Sequence, residues 1–215
     1  MRIIAGEHKG RTLKTTEGPG YRPAMGKVRG ALFSMLEARG VFWPECRVLD
    51  LFAGSGSLGF EALSRGAAEV CFVESNPAAA ALIRENAIRL GLAPRRWSVL
   101  AEEARRVLTR ATPERGAASG RLSYDLVFID PPYGQRLLAS SIRAVLGNGW
   151  LREGGILHAE TESRSELDPE LENPALEVLC ERKYGQTRIL LWRMKTKEAS
   201  SIPALSIPSP TATSA

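Results

Sequence analysis

Val48-Leu49-Asp50-Leu51-Phe52-Ala53-Gly54-Ser55-Gly56-Ser57-Leu58-Gly59 begins as an apolar strand and opens into a loop of small residues; Phe60-Glu61-Ala62-Leu63-Ser64 continues it as a helix. Glycines let a backbone approach a ligand closely and supply dihedrals closed to other residues. The spacing Gly54-x-Gly56-x-x-Gly59 matches a dinucleotide fingerprint, and the strand before it and the helix after it supply the required context. The acid in the motif argues against a dinucleotide. Asp50 lies at the junction of strand and loop, ahead of the glycines. A carboxylate there can accept from a ligand's ammonium group but sits badly beside a pyrophosphate. The stretch predicts an α/β, Rossmann-like sheet whose ligand carries an ammonium and no phosphate.

S-adenosylmethionine meets that description. Glu69-Val70-Cys71-Phe72-Val73 reads as the next strand, and Glu74 ends it. An acid about 20 residues past the glycines binds ribose hydroxyls in nucleotide-type sites. Glu74 also suits the approach to a helix, because Asn76-Pro77 follows and acids favour a first turn. The two roles are compatible.

Downstream, Tyr124-Asp125-Leu126-Val127-Phe128-Ile129 reads as a buried parallel strand, and Asp130-Pro131-Pro132-Tyr133 follows it. Two prolines cannot continue a strand, so they fix a rigid turn whose carbonyls lack local N–H donors. A carboxylate, the free Pro131 carbonyl and the Tyr133 ring are expected at the carboxyl edge of the sheet, where open α/β proteins bind ligands. Two acceptors and a ring face suit a flat heterocycle bearing an amino group. Taken alone, Pro-Pro marks a turn with a capping Asp. The glycine loop upstream turns the reading toward chemistry.

With Leu49-Asp50-Leu51-Phe52-Ala53-Gly54-Ser55-Gly56, Val73-Glu74 and Asp130-Pro131-Pro132-Tyr133 in one order, the chain resembles the bacterial small-subunit (16S) ribosomal RNA guanine-N2 methyltransferases. The likeness extends to Arg2-Ile3-Ile4-Ala5-Gly6, Gly10-Arg11-Thr12-Leu13, Arg22-Pro23 and Asn148-Gly149-Trp150-Leu151, and covers nearly everything from Arg2 to about Arg193. The resemblance implies a class I S-adenosylmethionine-dependent methyltransferase, with a seven-stranded, mostly parallel sheet and an amino-terminal β-hairpin and helix. It implies Asp130, Pro131 and Tyr133 as catalytic residues and Asp50, Phe52, Gly54, Gly56 and Glu74 as cofactor residues. Glu103 and Ala104 match the acidic-Ala pair that neighbours the adenine in the family, although Glu102 and Glu103 also fit a helix first turn. The chain departs from the family pattern on the helix after Arg22-Pro23. Where the family has Thr, Asp and an Arg-Glu pair, this chain has Ala24, Gly26, Lys27 and Arg29-Gly30.

A chain of 215 residues fits one α/β domain with a small appendage. The expected division is residues 1–44 as hairpin and helix extension, 45–198 as the methyltransferase domain and 199–215 as a disordered tail of Ser, Pro, Thr and Ala. No run approaches a membrane span, and Met1-Arg2-Ile3-Ile4-Ala5-Gly6-Glu7 has no apolar core of a signal peptide. Cys46, Cys71 and Cys180 form no Cys-x-x-Cys pair and read as free thiols in a reducing cytoplasm. His8 and His158 lack neighbours at ligand spacing, so no metal is expected.

Charge is uneven along the chain. From Met1 to Arg47 there are nine Lys/Arg and four Asp/Glu, which accounts for the whole formal excess of +5. Basic residues in a compact appendage are a phosphate-contact footprint. Arg2, Lys9, Arg11, Lys14 and Arg22 are the expected RNA contacts, with Tyr133 stacking on the base; a solvated surface with chance asymmetry is the plainer account. The expected partner is small-subunit ribosomal RNA, alone or within the ribosomal subunit, engaged by a monomer.

The pattern predicts a hairpin over residues 2–15, a loop over 16–20, a helix over 24–39 and five strand–helix units. A loop at 115–121 precedes the Asp-Pro-Pro-Tyr strand, and an antiparallel pair over 176–181 and 187–193 turns at Tyr184-Gly185. An N6-adenine methyltransferase of DNA or RNA shares the tetrapeptide, but one acting on DNA is expected to carry a target-recognition domain. Methyltransferases of protein glutamine usually have Asn at position 130. An NAD-dependent oxidoreductase gives Asp130-Pro131-Pro132-Tyr133 no role, and a non-catalytic RNA-binding assembly factor gives no reason for an intact Asp130.

Overall fold

The computed structural model describes residues 1–15, 23–110, 123–132, 137–163 and 173–196. Arg22, Tyr133, the loops at 16–20 and 115–121 and the tail at 199–215 lie outside the described residues. Helix α1 (Pro23–Ala38) leads into β1 (Arg47–Leu51), α2 (Ser57–Ser64), β2 (Glu69–Val73), α3 (Pro77–Leu90), β3 (Trp97–Leu100), α4 (Ala104–Leu108) and β4 (Tyr124–Ile129). Helix α5 (Leu137–Gly147), β5 (Leu151–Glu162), β6 (Leu176–Tyr184) and β7 (Thr187–Met194) complete the order.

The strands form one seven-stranded sheet in the order β3-β2-β1-β4-β5-β7-β6. Strands β1 to β5 run parallel, and β7 pairs antiparallel with both β5 and β6. From β1 the chain steps outward through β2 to β3, then returns to place β4 on the other side of β1. That reversal is the topological switch point, where an α/β sheet opens a crevice at its carboxyl edge. Four of the five predicted strand–helix units are present. The fifth strand, β5, is present, and the chain after it, at 164–172, lies outside the described residues; β5 is longer than its predicted segment because β7 continues the ladder to Glu162.

The buried parallel strands explain the near-continuous apolar runs in sequence. Leu49, Leu51, Val73, Val127 and Ile129 pack with α4 and α5 on one face, while Val48, Val70, Phe72, Leu126 and Phe128 pack with α1, α2 and α3 on the other. Ile3 and Leu13 of the amino-terminal arm join this second cluster, so the arm shares the core rather than forming its own. The hairpin is short: one antiparallel bridge, Arg2 to Thr12, with main-chain bonds from Leu13 N–H to Met1 and from Gly10 N–H to Ile3. It is fixed from outside. The buried Glu61 carboxylate accepts the Ile4 and Ala5 N–H groups at 2.8 and 3.0 Å, and Glu7 N–H donates to the Ser64 carbonyl. At Gly6, with φ at +82°, a Cβ would stand 1.9 Å from the Ser64 carbonyl oxygen, so only glycine permits that approach.

Candidate active site

Four carboxyls stand in sheet order along the carboxyl edge. Glu74 follows β2, Asp50 lies near the end of β1, Asp130 follows β4 and Glu160 lies near the end of β5. Side chains alternate between faces along a strand. Asp50, Asp130 and Glu160 share the parity of Val48, Leu126 and Ile156, so they lean to the face covered by α1, α2 and α3. The last pair of the β4–β5 ladder is Ile129 with Ala159, which puts Asp130 and Glu160 next to each other on neighbouring chains, roughly 5 Å apart in the main chain.

The glycine loop is organised by the first two acids. Asp50 is buried, and its Oδ2 accepts the Gly59 N–H at 2.9 Å, tying the strand end to the first turn of α2. Glu74 accepts the Gly54 N–H at 2.7 Å through Oε2 and the Asn76 N–H at 2.7 Å through Oε1. Capping of α3 falls to Asn76, whose side chain accepts from Ala78 and Ala79 N–H with Pro77 behind it, so Glu74 is free of that duty. Gly59 lets α2 press on β2: a Cβ there would meet the Phe72 ring at 2.2 Å. Phe52 has φ at +61°, the left-handed region, and is the one non-glycine residue so held among the described residues. Strain of this kind collects at functional sites.

Burial pushes the Asp50 carboxyl up to about 7, against the lowering effect of the Gly59 N–H, with Glu74 adding repulsion. Asp130 keeps some surface, yet burial is the largest cause of a rise to about 8, and the charges of Glu160 and Asp50 add to it. None of Asp50, Glu74 and Asp130 forms an ion pair with an arginine or lysine among the described residues. Such an edge repels a pyrophosphate and suits a cation. A ligand with an ammonium and a sulfonium, and with ribose hydroxyls for a carboxylate to accept from, fits this donor and charge set.

Glu103 is exposed at the N-cap of α4 but makes no side-chain cap bond, so its carboxylate is not committed to the helix. Ala104 points its methyl into the α4–α5 core, which leaves its main chain for any ligand contact. The basic residues of the arm lie elsewhere. Lys14 pairs with Glu85, Arg11 donates to the Arg89 carbonyl at 3.1 Å, and Arg2 and Lys9 are exposed. Glu85 and Arg89 belong to the second half of α3, whose first turn follows Glu74. The arm therefore sits up to about 20 Å from the acidic edge, the length of a 14-residue helix. Sequence reading missed Glu160, although a strand ending in His158-Ala159-Glu160 follows the same strand-end rule as the other acids. It also missed Glu61, which reads as an ordinary helix-surface acid.

The family described as "Conserved hypothetical protein 95" matches residues 1–193. The chain is 32% identical over 201 residues to the ribosomal RNA small subunit methyltransferase D of Escherichia coli K12, covering 93% of each chain. It is 34% identical over 167 residues to the enzyme of the same name from Haemophilus influenzae, covering 78% of this chain and 81% of that one. The solved structure of yhhF from Escherichia coli superposes with a TM-score of 0.77 at 29% identity, over 91% of this chain and 98% of that one.

Proposed function

Because this chain belongs to the conserved hypothetical protein 95 family, which matches all but its last 22 residues, we propose that it methylates the exocyclic N2 amino group of a guanine in small-subunit ribosomal RNA. The fold is that of the class I methyltransferases, and S-adenosylmethionine is the cofactor. The relatives named above are ribosomal RNA methyltransferases, which supports the RNA substrate. One observation carries the reading: a carboxyl without a cationic partner among the described residues, Asp130, stands at the switch-point edge one strand from the acid-lined glycine loop.

When bound, S-adenosylmethionine supplies a methyl group already activated by its sulfonium. Asp50, Phe52, Gly54, Gly56 and Glu74 would hold it, with Glu103 and Ala104 beside the adenine. No covalent enzyme intermediate is needed, so the chain's task is alignment, which supplies much of the barrier reduction. A guanine amino group is a weak nucleophile because its lone pair is delocalised into the ring. Asp130 and the Pro131 carbonyl would accept its two N–H bonds and favour a pyramidal nitrogen, and Tyr133 would stack on the flipped base. Ionisation strengthens that acceptance and removes the competing O–H donor, so the cofactor's positive charge, by favouring ionised Asp130, readies the acceptor. The protein then acts in the cytoplasm, where its substrate is made.

The test is transfer of tritiated methyl into unmethylated small subunits, naked ribosomal RNA and DNA, followed by nucleoside analysis. The reading expects N2-methylguanosine from a ribosomal substrate; N6-methyladenosine as the product would replace it. Asp130→Ala should abolish transfer and leave cofactor affinity within a few fold.

A further inference from the structure

Transfer to an amino group needs one acceptor side chain, yet the acidic edge carries another on the far side of Asp130 from the glycine loop. The sheet order β2-β1-β4-β5 sets Glu74 and Asp50 on the cofactor side of Asp130 and Glu160 on the other. Glu160 is partly buried, shares the face of Asp130, and follows the Ile129–Ala159 pair as Asp130 does. Asp130 takes no hydrogen bond from any described residue. We infer that Glu160 selects guanine, its carboxylate accepting the N1–H of the flipped base while Asp130 accepts from the adjacent N2 amino group. The inference rests on the guanine-N2 reading and names the group that enforces it.

Donor pattern separates the bases. An ionised carboxylate only accepts. Guanine presents two neighbouring donors on its Watson–Crick edge, N1–H and the N2 amino group. Adenine presents its N6 amino group beside an N1 lone pair, and cytosine its N4 amino group beside an N3 lone pair. Two adjacent carboxylates match the first pattern and oppose the other two, because one of them would then face a lone pair with nothing to accept. Sites built to hydrogen-bond a polar group reject an analogue that lacks it strongly, since the site's own polar group is left unpaired. The repulsion that Asp130 feels from Glu160 in the free protein is consistent with this closeness, and a base that donates to both relieves it.

The test uses 2-aminopurine, which keeps the amino group but has a lone pair at N1. The guanine modified by the wild type is mapped first, then replaced by 2-aminopurine in ligated ribosomal RNA. Wild type should prefer guanine by about 100-fold in kcat/KM, the scale of a lost charged hydrogen bond plus an unpaired acceptor. Glu160→Ala should lose at least about tenfold on guanine and little on 2-aminopurine. Glu160→Gln, nearly isosteric, can turn its amide N–H toward the N1 lone pair and should bring the two substrates within about threefold. Unchanged affinity for S-adenosylhomocysteine in both variants reports an intact fold and cofactor site. N2-methylguanosine as the wild-type product, with the wild-type preference kept in both variants, overturns this inference alone. Methyl on adenine in the wild-type product overturns it together with the reading beneath it.

Discussion

Asp130 holds its proton to about pH 8 because burial disfavours its charge and Glu160 and Asp50 repel it. Two consequences follow for the free protein. The unfolded chain releases this proton near pH 4, whereas the folded chain keeps it until about pH 8. Between those values the folded state binds the extra proton, so this group's contribution to stability falls as pH rises. Asp50, pushed up to about 7, works in the same direction. Asp130→Asn should therefore flatten the decline in melting temperature between pH 5 and about pH 8; a wild-type slope in the variant would remove the assignment. A cation beside Asp130 favours the carboxylate, so affinity for S-adenosylmethionine should rise with pH across about 6 to 8. S-adenosylhomocysteine, without the sulfonium, should show a shallower rise in parallel calorimetry. Asp50, Glu74 and Asp130 were legible in sequence because each strand-end acid stands beside a second marker, a glycine loop, an Asn-Pro helix start or a Pro-Pro turn, which Glu160 lacks. The left-handed Phe52 was not, since no residue type signals that conformation in a phenylalanine.

Helix α1 forms despite two interior glycines because its other residues meet a core: Leu32, Phe33 and Leu36 are buried, and Phe33 stacks on Trp43 at 5.4 Å. Burial of that stripe outweighs a glycine penalty of roughly 1 kcal/mol each. At Gly30 a Cβ would meet only Ile4 Cδ1, at an ordinary 3.9 Å. Gly30→Ala should thus stabilise the protein by about 0.5–1 kcal/mol in urea denaturation. The opposite holds one helix away. Glu61, at 1% exposure, lies 3.8 Å from the buried Arg29 and 3.0 Å from Arg65, while its oxygens hold the arm's Ile4 and Ala5 N–H groups. Removing it leaves a buried guanidinium and two main-chain donors without this acceptor. Glu61→Ala should cost about 3–5 kcal/mol, and hydrogen exchange should rise first at Ile4 and Ala5. An exchange pattern unchanged at those two amides would mean the arm is held by its apolar contacts alone.

The arm and the acidic edge occupy different ends of the α2–α3 layer, so the proposed RNA contacts stand apart from the proposed chemistry. RNA positioning at the arm with chemistry at the edge requires a substrate that reaches along a helix, and a folded RNA does so easily. Phosphate contacts fix register without carrying sequence information. Replacing Lys9, Arg11 and Lys14 with alanine should weaken binding of ribosomal substrate and flatten its dependence on salt, because fewer counterions are released. Cofactor affinity should hold, since Glu74 and the glycine loop are untouched. Lys14 is partly occupied by Glu85, so Lys9 and Arg11 should carry most of the change. If slope and affinity both stay at wild-type values, the charge excess of the first 47 residues is a solvated surface and the RNA track lies elsewhere.

Local grammar settled much of this protein before any folding. Apolar runs, a glycine loop between strand and helix, and acids at strand ends are short-range signals, and each was placed correctly on its strand, loop or turn. The closing hairpin was legible for the same reason, since alternation and Gly185 lie within one stretch. Sheet order is a different kind of fact. Only the packed fold sets β4 against β1 and β5 against β4, and that order brings Asp50, Glu74, Asp130 and Glu160, the first and last 110 positions apart in sequence, onto one edge with one another's charges to answer. Tertiary packing likewise made Glu61 the buried clasp of the arm, because the Ile4 and Ala5 N–H groups that it holds lie more than 50 positions away in sequence. Hydrogen bonds and desolvation depend on neighbours in space, and a chain read in order shows only neighbours in sequence.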